Sequence, residues 1–318
     1  MGRIIAAIGS ISLALLMAAA APPKAPDWAY PEGRAPPPAG GWDNTRRVAL
    51  YGAGITFTDA QVRDRTHAVD WLPNSHPPMP GVVSSGRPPG VLACGFCHLP
   101  AGEGRPENAA LAGLPRDYIV RQVRDFASGA RISVVRGWGP SALMSDLARH
   151  VTAAEASAAA DYFSRLKFTS RVRVVETSRI ARPTATNFLL VPGAHQRPEP
   201  IGQRIVEGPS SLERWERRDP RIAYTAYVPR GSLKRGAILA AGSAGAPACA
   251  SCHGVDLRGG GLGPPLAGRS PSYLFRQLYA FRAGARTGPD AAPMQAVTSR
   301  MTQPDMIALA AYAASKTS

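Results

Sequence analysis

The chain has 318 residues, 45% of them hydrophobic, which is enough for two or three packed domains. Its 31 prolines and 32 glycines predict a large share of loops. The formal net charge is +15, but the basic residues are dispersed, so a nucleic-acid-binding protein is a poor fit. We expect this charge either to steer docking to an acidic partner or an anionic membrane surface, or to serve solubility alone.

The N-terminus has the pattern of a secretory signal. Arg3 precedes an apolar stretch over 4–17, and small residues follow at 18–20. The pattern predicts a signal peptide over 1–20 and a periplasmic protein. An uncleaved membrane anchor is the alternative, because the 18 residues of 4–21 are near the lower limit for a membrane span.

Residues 21–76 form a predicted N-terminal extension rich in proline and glycine. Within it, the apolar residues of 47–51 favour a strand. The segment 58–69 favours a short helix with Thr58 as its cap.

All four cysteines lie in two Cys-x-x-Cys-His motifs. This spacing is typical of covalent haem c attachment, in which the thiols bond the haem and the histidine ligates the iron. A zinc site would need further ligands at suitable spacing, and the other histidines are scattered; a redox Cys-x-x-Cys motif does not require the histidine. The sequence therefore predicts two covalently bound haem c groups, held by thiols and by axial histidines at Cys94, Cys97 and His98 and at Cys249, Cys252 and His253.

The two motifs belong to an internal duplication. Residues 118–123 match 273–278 at the same offset of 155 that separates the motifs, and Arg131 matches Arg286. Beyond Arg131 the offset is 150, which superposes Met144 on Met294. The repeats predict a first domain at 77–168 and a second at 232–318, joined by a linker at 169–231.

The sequence predicts that each repeat is helical and that the linker is partly β. Helical spacing of apolar residues and two capping boxes, which start at Thr152 and Thr302, indicate the helices. Strand-like runs stand at 171–175 and 187–191 of the linker. The helices are expected at 81–86, 118–127 and 153–165 in the first repeat and at 233–241, 273–283 and 303–315 in the second.

Each repeat resembles a class I cytochrome c domain, and the tandem resembles dihaem cytochromes c of the c-four type. The resemblance implies a mainly α fold: two class I cytochrome c domains in tandem, with a partly β or irregular linker and an N-terminal extension. It also implies a methionine as the sixth iron ligand. Met144 and Met294 stand at the matching positions, with Met79 as a rival for the first site.

The same resemblance implies several supporting contacts. A loop carbonyl should accept the Nδ1–H of each axial histidine, from 108–111 in the first repeat and from 263–266 in the second. An aromatic of the last helix should pack on a glycine of the first, Tyr162 on Gly81 and Tyr312 on Gly236. Arg131 and Arg286 are expected either to pair with haem propionates or to lie on the solvated surface.

Two filled axial positions favour outer-sphere electron transfer over catalysis, so no catalytic residue is predicted. The expected function is an exported dihaem carrier between respiratory or dehydrogenase partners. One alternative is the electron-accepting subunit of a dehydrogenase complex. The other is a dihaem peroxidase-type enzyme, which the matched methionines and the lack of a spare cysteine disfavour. The expected partners are redox proteins, with acidic ones suited to the basic charge.

Overall fold

The computed structural model describes residues 24–34, 37, 40–242 and 247–318. The predicted signal peptide lies outside these residues. Within them, no helix is long and apolar enough to cross a membrane. The described residues combine helices with a smaller number of short strands, in agreement with the expected mainly α fold.

The N-terminal extension forms a small hairpin and a helix. Strands β1 (Arg47–Ala49) and β2 (Thr56–Thr58) pair antiparallel, and helix α1 (Asp59–Arg63) follows directly. Thr58 caps α1 as predicted, in a capping box with Gln61. The helix stops six residues earlier than expected because Asp64 is extended and accepts the backbone N–H of Thr66. This local turn competes with further helical hydrogen bonds.

The first repeat contains the three predicted helices, and the last has the capping box of Thr152 with Glu155. The sequence did not predict the helix that carries Met144, although a proline at its start and two basic residues in its last turn are helix signals. The helices of this repeat are α2 (Gly81–Ser84), α3 (Cys94–His98), α4 (Arg116–Ser128), α5 (Gly139–His150) and α6 (Ala153–Ser164).

Between the repeats, the linker contains short strands, in agreement with its predicted β content. One sheet has the order β3-β9-β8, with β3 parallel and β8 antiparallel to β9. Alternate residues of β9, Ala226 and Val228, are fully buried in the core of the second repeat with Phe275. The strands are β3 (Val172–Thr177), β4 (Arg179–Ala181), β5 (Pro183–Thr186), β6 (Leu189–Pro192), β7 (Pro198–Pro200), β8 (Val206–Pro209) and β9 (Tyr224–Pro229), with helix α7 (Leu212–Glu216) before β9.

The second repeat follows the same helical order as the first. Its last helix has the predicted capping box of Thr302 with Asp305. Its helices are α8 (Ser232–Ala240), α9 (Ala250–His253), α10 (Pro271–Arg282), α11 (Ala292–Thr298) and α12 (Gln303–Ser315).

The two repeats differ where the first helix meets the last. A Cβ added at Gly236 would lie 2.6 Å from the Cβ of Tyr312, so the expected glycine–aromatic contact is present in the second repeat. At Gly81 a Cβ would meet nothing within 4 Å, so the same expectation is wrong for the first repeat. There α2 is a single short turn, and the hydroxyl of Tyr162 donates instead to the carbonyl of Pro100, 2.9 Å away.

Candidate functional site

The first motif forms helix α3, whose last residue is His98. The Nδ1 of His98 lies 2.8 Å from the carbonyl oxygen of Ala109, eleven residues later. A carbonyl can only accept, so Nδ1 carries the proton and Nε2 keeps its lone pair. Burial lowers the pKa of His98, and the carbonyl bond opposes this only in part, so the neutral imidazole is favoured. This is the tautomer that a metal ligand needs.

The second motif repeats this geometry. His253 is 7% exposed, and its Nδ1 lies 2.8 Å from the carbonyl oxygen of Pro264, again eleven residues later. Gly263 is required beside it, because a Cβ there would lie 2.7 Å from the imidazole ring. Burial lowers the pKa of His253 as well. The predicted loop carbonyls are therefore confirmed in both repeats.

The four thiols are free, and none is in a disulfide. Burial raises the pKa of Cys94 to about 12 and also raises the pKa of Cys97 and Cys249, so these groups are neutral thiols at pH 7. Among the described residues, no cluster of three or more His, Cys, Asp or Glu could hold a metal ion.

An apolar cavity opens beside the first motif. Cys94, Cys97 and His98 line it, and so does Met144 of α5. Met79 is packed instead against the apolar cluster around Val83 and Phe163, which are fully buried. The first motif and Met144 therefore face one space. Met294, on α11, is half-buried in the second repeat.

Two buried arginines join the repeats. Arg131 and Arg286 are each 7% exposed, so the surface alternative for them is wrong. Each donates to Gln122 Oε1 and Gln277 Oε1, at 2.6–3.1 Å. Arg131 also donates to the hydroxyl of Tyr273, 2.9 Å away in the other repeat.

No carboxylate within the described part of the chain lies within 4 Å of either guanidinium. Two like charges buried together call for a negative group. Arg131, Gln122 and Tyr273 line the cavity of the first motif, so propionates of a bound haem would meet this charge. The chemistry of the donors therefore fits the cofactor.

The sequence missed the residues that cover the first motif from outside. The guanidinium of Arg218, in the linker, lies 3.4 Å above the ring of Phe96 and donates to the Phe96 carbonyl over 2.9 Å. Trp71 of the extension belongs to the same apolar cluster as Phe96. Arg218 and Phe96 are 122 residues apart in the chain. No local sequence pattern indicates a contact over such a separation.

The chain is similar to several known proteins. The cytochrome c family matches residues 239–316. The thiosulfate dehydrogenase electron acceptor of Thiomonas intermedia is 30% identical over 232 residues, 72% of this chain and 81% of that protein. Cytochrome c4 of Azotobacter vinelandii is 25% identical over 227 residues, 70% of this chain and 83% of that protein. The solved thiosulfate dehydrogenase of Marichromatium purpuratum has a TM-score of 0.45 and 26% identity, over 71% of this chain and 37% of that one.

The first of these relatives carries the assignment, because its identity of 30% extends over four fifths of its own length. The duplicated attachment motifs account for a tandem arrangement with one cofactor in each repeat. The chain therefore belongs to the cytochrome c family as a dihaem electron-transfer cytochrome that is similar to cytochrome c4, with two covalently bound haem c groups.

Proposed function

We propose that the protein is an exported electron carrier with two His/Met-ligated irons, not an enzyme. When bound, each haem supplies a one-electron Fe(III)/Fe(II) couple. The thiols that attach the haems are Cys94, Cys97, Cys249 and Cys252, and the axial ligands are His98 with Met144 and His253 with Met294. The observation that carries the proposal is the cavity that Cys94, Cys97, His98 and Met144 line together.

The methionines decide between transfer and catalysis. A thioether is a soft ligand that favours Fe(II) and raises the reduction potential. It also fills the axial position that a peroxidase needs open for its substrate. Met144 supports this role in the first site because it lines the cavity and Met79 does not. For Met294 the support is its position, matched to Met144 in the duplication.

The other residues of the chain hold the ligands and balance charge. The carbonyls of Ala109 and Pro264 orient the two imidazoles and fix their tautomer. The apolar walls of the first cavity would keep water from a bound haem, which would lower the energy of reorganising solvent when an electron moves. Arg131 and Arg286 would balance the negative charge of haem propionates.

We infer that the two cytochrome c domains are residues 77–168 and 232–318. The helical order within each range is the same, and the shared arginine cluster joins them. Residues 1–20 are assigned as the signal peptide of a periplasmic protein, and 21–76 as the extension. The linker 169–231 is assigned as a separate segment that packs on both domains.

A permanent subunit of a dehydrogenase complex is the second candidate. The relative from Thiomonas intermedia is named as the electron acceptor of a thiosulfate dehydrogenase, which favours a dehydrogenase as electron donor here too. Purification under native conditions separates the two cases. A monomer supports the free carrier, and stoichiometric co-purification with a dehydrogenase supports the subunit.

A redox titration of the intact holoprotein with optical detection tests the ligands. We expect two one-electron transitions. Met144→Ala and Met294→Ala should each lower one of the two potentials and remove part of the weak thioether-to-Fe(III) absorption band. Met79→Ala is the matched control, because Met79 packs in the core of the first repeat and does not line the cavity.

The opposite pattern contradicts the assignment. If Met144→Ala left both potentials and the band unchanged while Met79→Ala altered them, Met79 would be the ligand of the first site. If both reduction potentials were unchanged in Met294→Ala, Met294 would not be an iron ligand.

A further inference from the structure

The outer side of the first attachment helix is closed. Gly95 and Phe96, the two residues between the cysteines, are both buried. A Cβ at Gly95 would lie 2.9 Å from the Cβ of Ala68, so the extension lies against the helix. Arg218 covers the ring of Phe96, and the indole N–H of Trp71 donates to the carbonyl of Arg217 over 2.7 Å. Two segments from outside the repeats therefore shield this edge of the first site.

The outer side of the second attachment helix is open. Ala250 and Ser251 occupy the positions of Gly95 and Phe96, and both are exposed. The hydroxyl of Ser251 donates to the carbonyl of Ala248 within its own turn. A partner protein can therefore approach the second site along an edge that is closed at the first.

Large apolar side chains lie exposed beside this open edge. Leu262 is 94% exposed and Val255 is 82% exposed. The backbone holds Leu262 there, because the N–H of Gly263 donates to the Cys252 carbonyl over 2.8 Å. An apolar patch beside a functional centre is typical of a contact surface for another protein.

Positive charge accompanies the patch. Arg258 lies between Val255 and Leu262 in the chain, and its guanidinium donates only to neutral oxygens of Thr317 in the described structure, at 2.7 and 3.1 Å. No carboxylate of the described residues lies within 4 Å of it, whereas Asp256 pairs with Lys316 at 3.3 Å. The charge of Arg258 is therefore available to a carboxylate on a partner.

We propose that Ala250, Ser251, Val255, Arg258 and Leu262, here named the open face, dock a one-electron redox protein with an apolar contact centre and carboxylates opposite Arg258. Each docking event moves one electron between the partner's redox centre and the second site, so that one is oxidised as the other is reduced. The first site does not offer this face to the partner, because Arg218 and Trp71 cover its equivalent edge. This inference rests on the electron-transfer function proposed above.

A surface of defined chemistry replaces the partner in the test. The probe is a gold electrode coated with a mixed monolayer of carboxylate-terminated and methyl-terminated alkanethiols, and the holoprotein is studied by voltammetry. Leu262→Asp should slow electron exchange about tenfold, because it removes apolar contact and adds a charge that carboxylates repel. Leu262→Asn removes the apolar contact alone and should slow exchange by a smaller factor.

Tyr51→Asp is the matched control. Tyr51 is 98% exposed and lies in the extension that covers the first site. Like Leu262→Asp, this substitution replaces an exposed large hydrophobic residue by a negative charge, but on the closed side. We expect its rate to stay within about twofold of the native rate, since the Debye length at 0.15 M salt is only about 8 Å.

The outcomes separate the two proposals. Loss of the two one-electron transitions in the native protein would refute the electron-transfer function itself. Normal transitions, with Leu262→Asp and Leu262→Asn exchanging as fast as the native protein, would refute the open face alone. If Tyr51→Asp slowed electron exchange as much as Leu262→Asp, the open face would also be refuted, because a negative charge anywhere on the surface would then explain the slower exchange.

Discussion

The crossing of α8 and α12 offers a sharp test of how the second repeat is held together. A Cβ at Gly236 would lie 2.2 Å from the carbonyl oxygen of Ala308 and 2.6 Å from the Cβ of Tyr312. Both atoms are fixed to the backbone of α12, so neither can swing aside. Gly236→Ala must therefore push the two helices apart.

The size of the effect follows from two opposing contributions. Overpacking of a tight contact costs about 1–3 kcal/mol in the free energy of unfolding. Alanine in place of glycine in a helix returns roughly 0.5–1 kcal/mol. The 2.2 Å approach places the cost in the upper part of that range, so we expect a net loss of about 1–2 kcal/mol. This corresponds to a fall in Tm of roughly 2–3 °C if the 318 residues unfold together.

Gly81→Ala is the matched control, because Gly81 begins α2 at the equivalent position and a Cβ there would meet nothing within 4 Å. We expect its Tm to be unchanged or slightly higher. Thermal unfolding of the holoproteins, followed by circular dichroism at 222 nm, measures both variants. A Tm of Gly236→Ala equal to that of the native protein, or an equal fall in both variants, would refute the reasoning.

Three further results are expected. The intact mass of the mature chain after acid–acetone extraction should include two haem groups, and fewer in a strain with working maturation would contradict the double attachment. The native reduced protein should bind little carbon monoxide at neutral pH, since the proposed His and Met ligands would fill both axial positions of each iron, whereas rapid stoichiometric binding would favour an open enzyme site. A hydrogen bond from Arg87, with those from Thr152, lowers the pKa of Glu155 from 4.5 to about 2. The stability that this ionised carboxylate supplies is complete above pH 4.5 and is lost as the pH falls towards 2, so Glu155→Gln should flatten that part of an acid-unfolding curve.

Local sequence signals predicted three helices of each repeat, but not the helices that carry Met144 and Met294. The capping boxes at Thr152 and Thr302 begin α6 and α12 where expected, because the cap and its partner lie only three residues apart. At Thr58 the same signal started α1 correctly but did not show its early end at Asp64. A competing turn two residues further on stopped the helix.

Such local signals did not predict the pairing of strands that are far apart in the chain. Strand β3 pairs in parallel with β9, so that Val172 faces Tyr224, and most of the linker lies between them. Neither strand contains a residue that indicates its partner. The β content of the linker was predictable from its apolar runs, but the sheet that places it in the core of the second repeat was not.

The duplication predicted the equivalence of the two sites but not the difference between their surroundings. His98 and His253 keep the same acceptor at the same spacing, because that contact lies within one repeat. The cover over Phe96 comes from residues that have no second copy, namely Trp71 in the extension and Arg218 in the linker. The shielding of the first site therefore arises in these unduplicated segments, whereas the exposed residues beside the second site lie in its own repeat. Residues 47–72 and 215–218 are therefore where substitutions should change one site without the other.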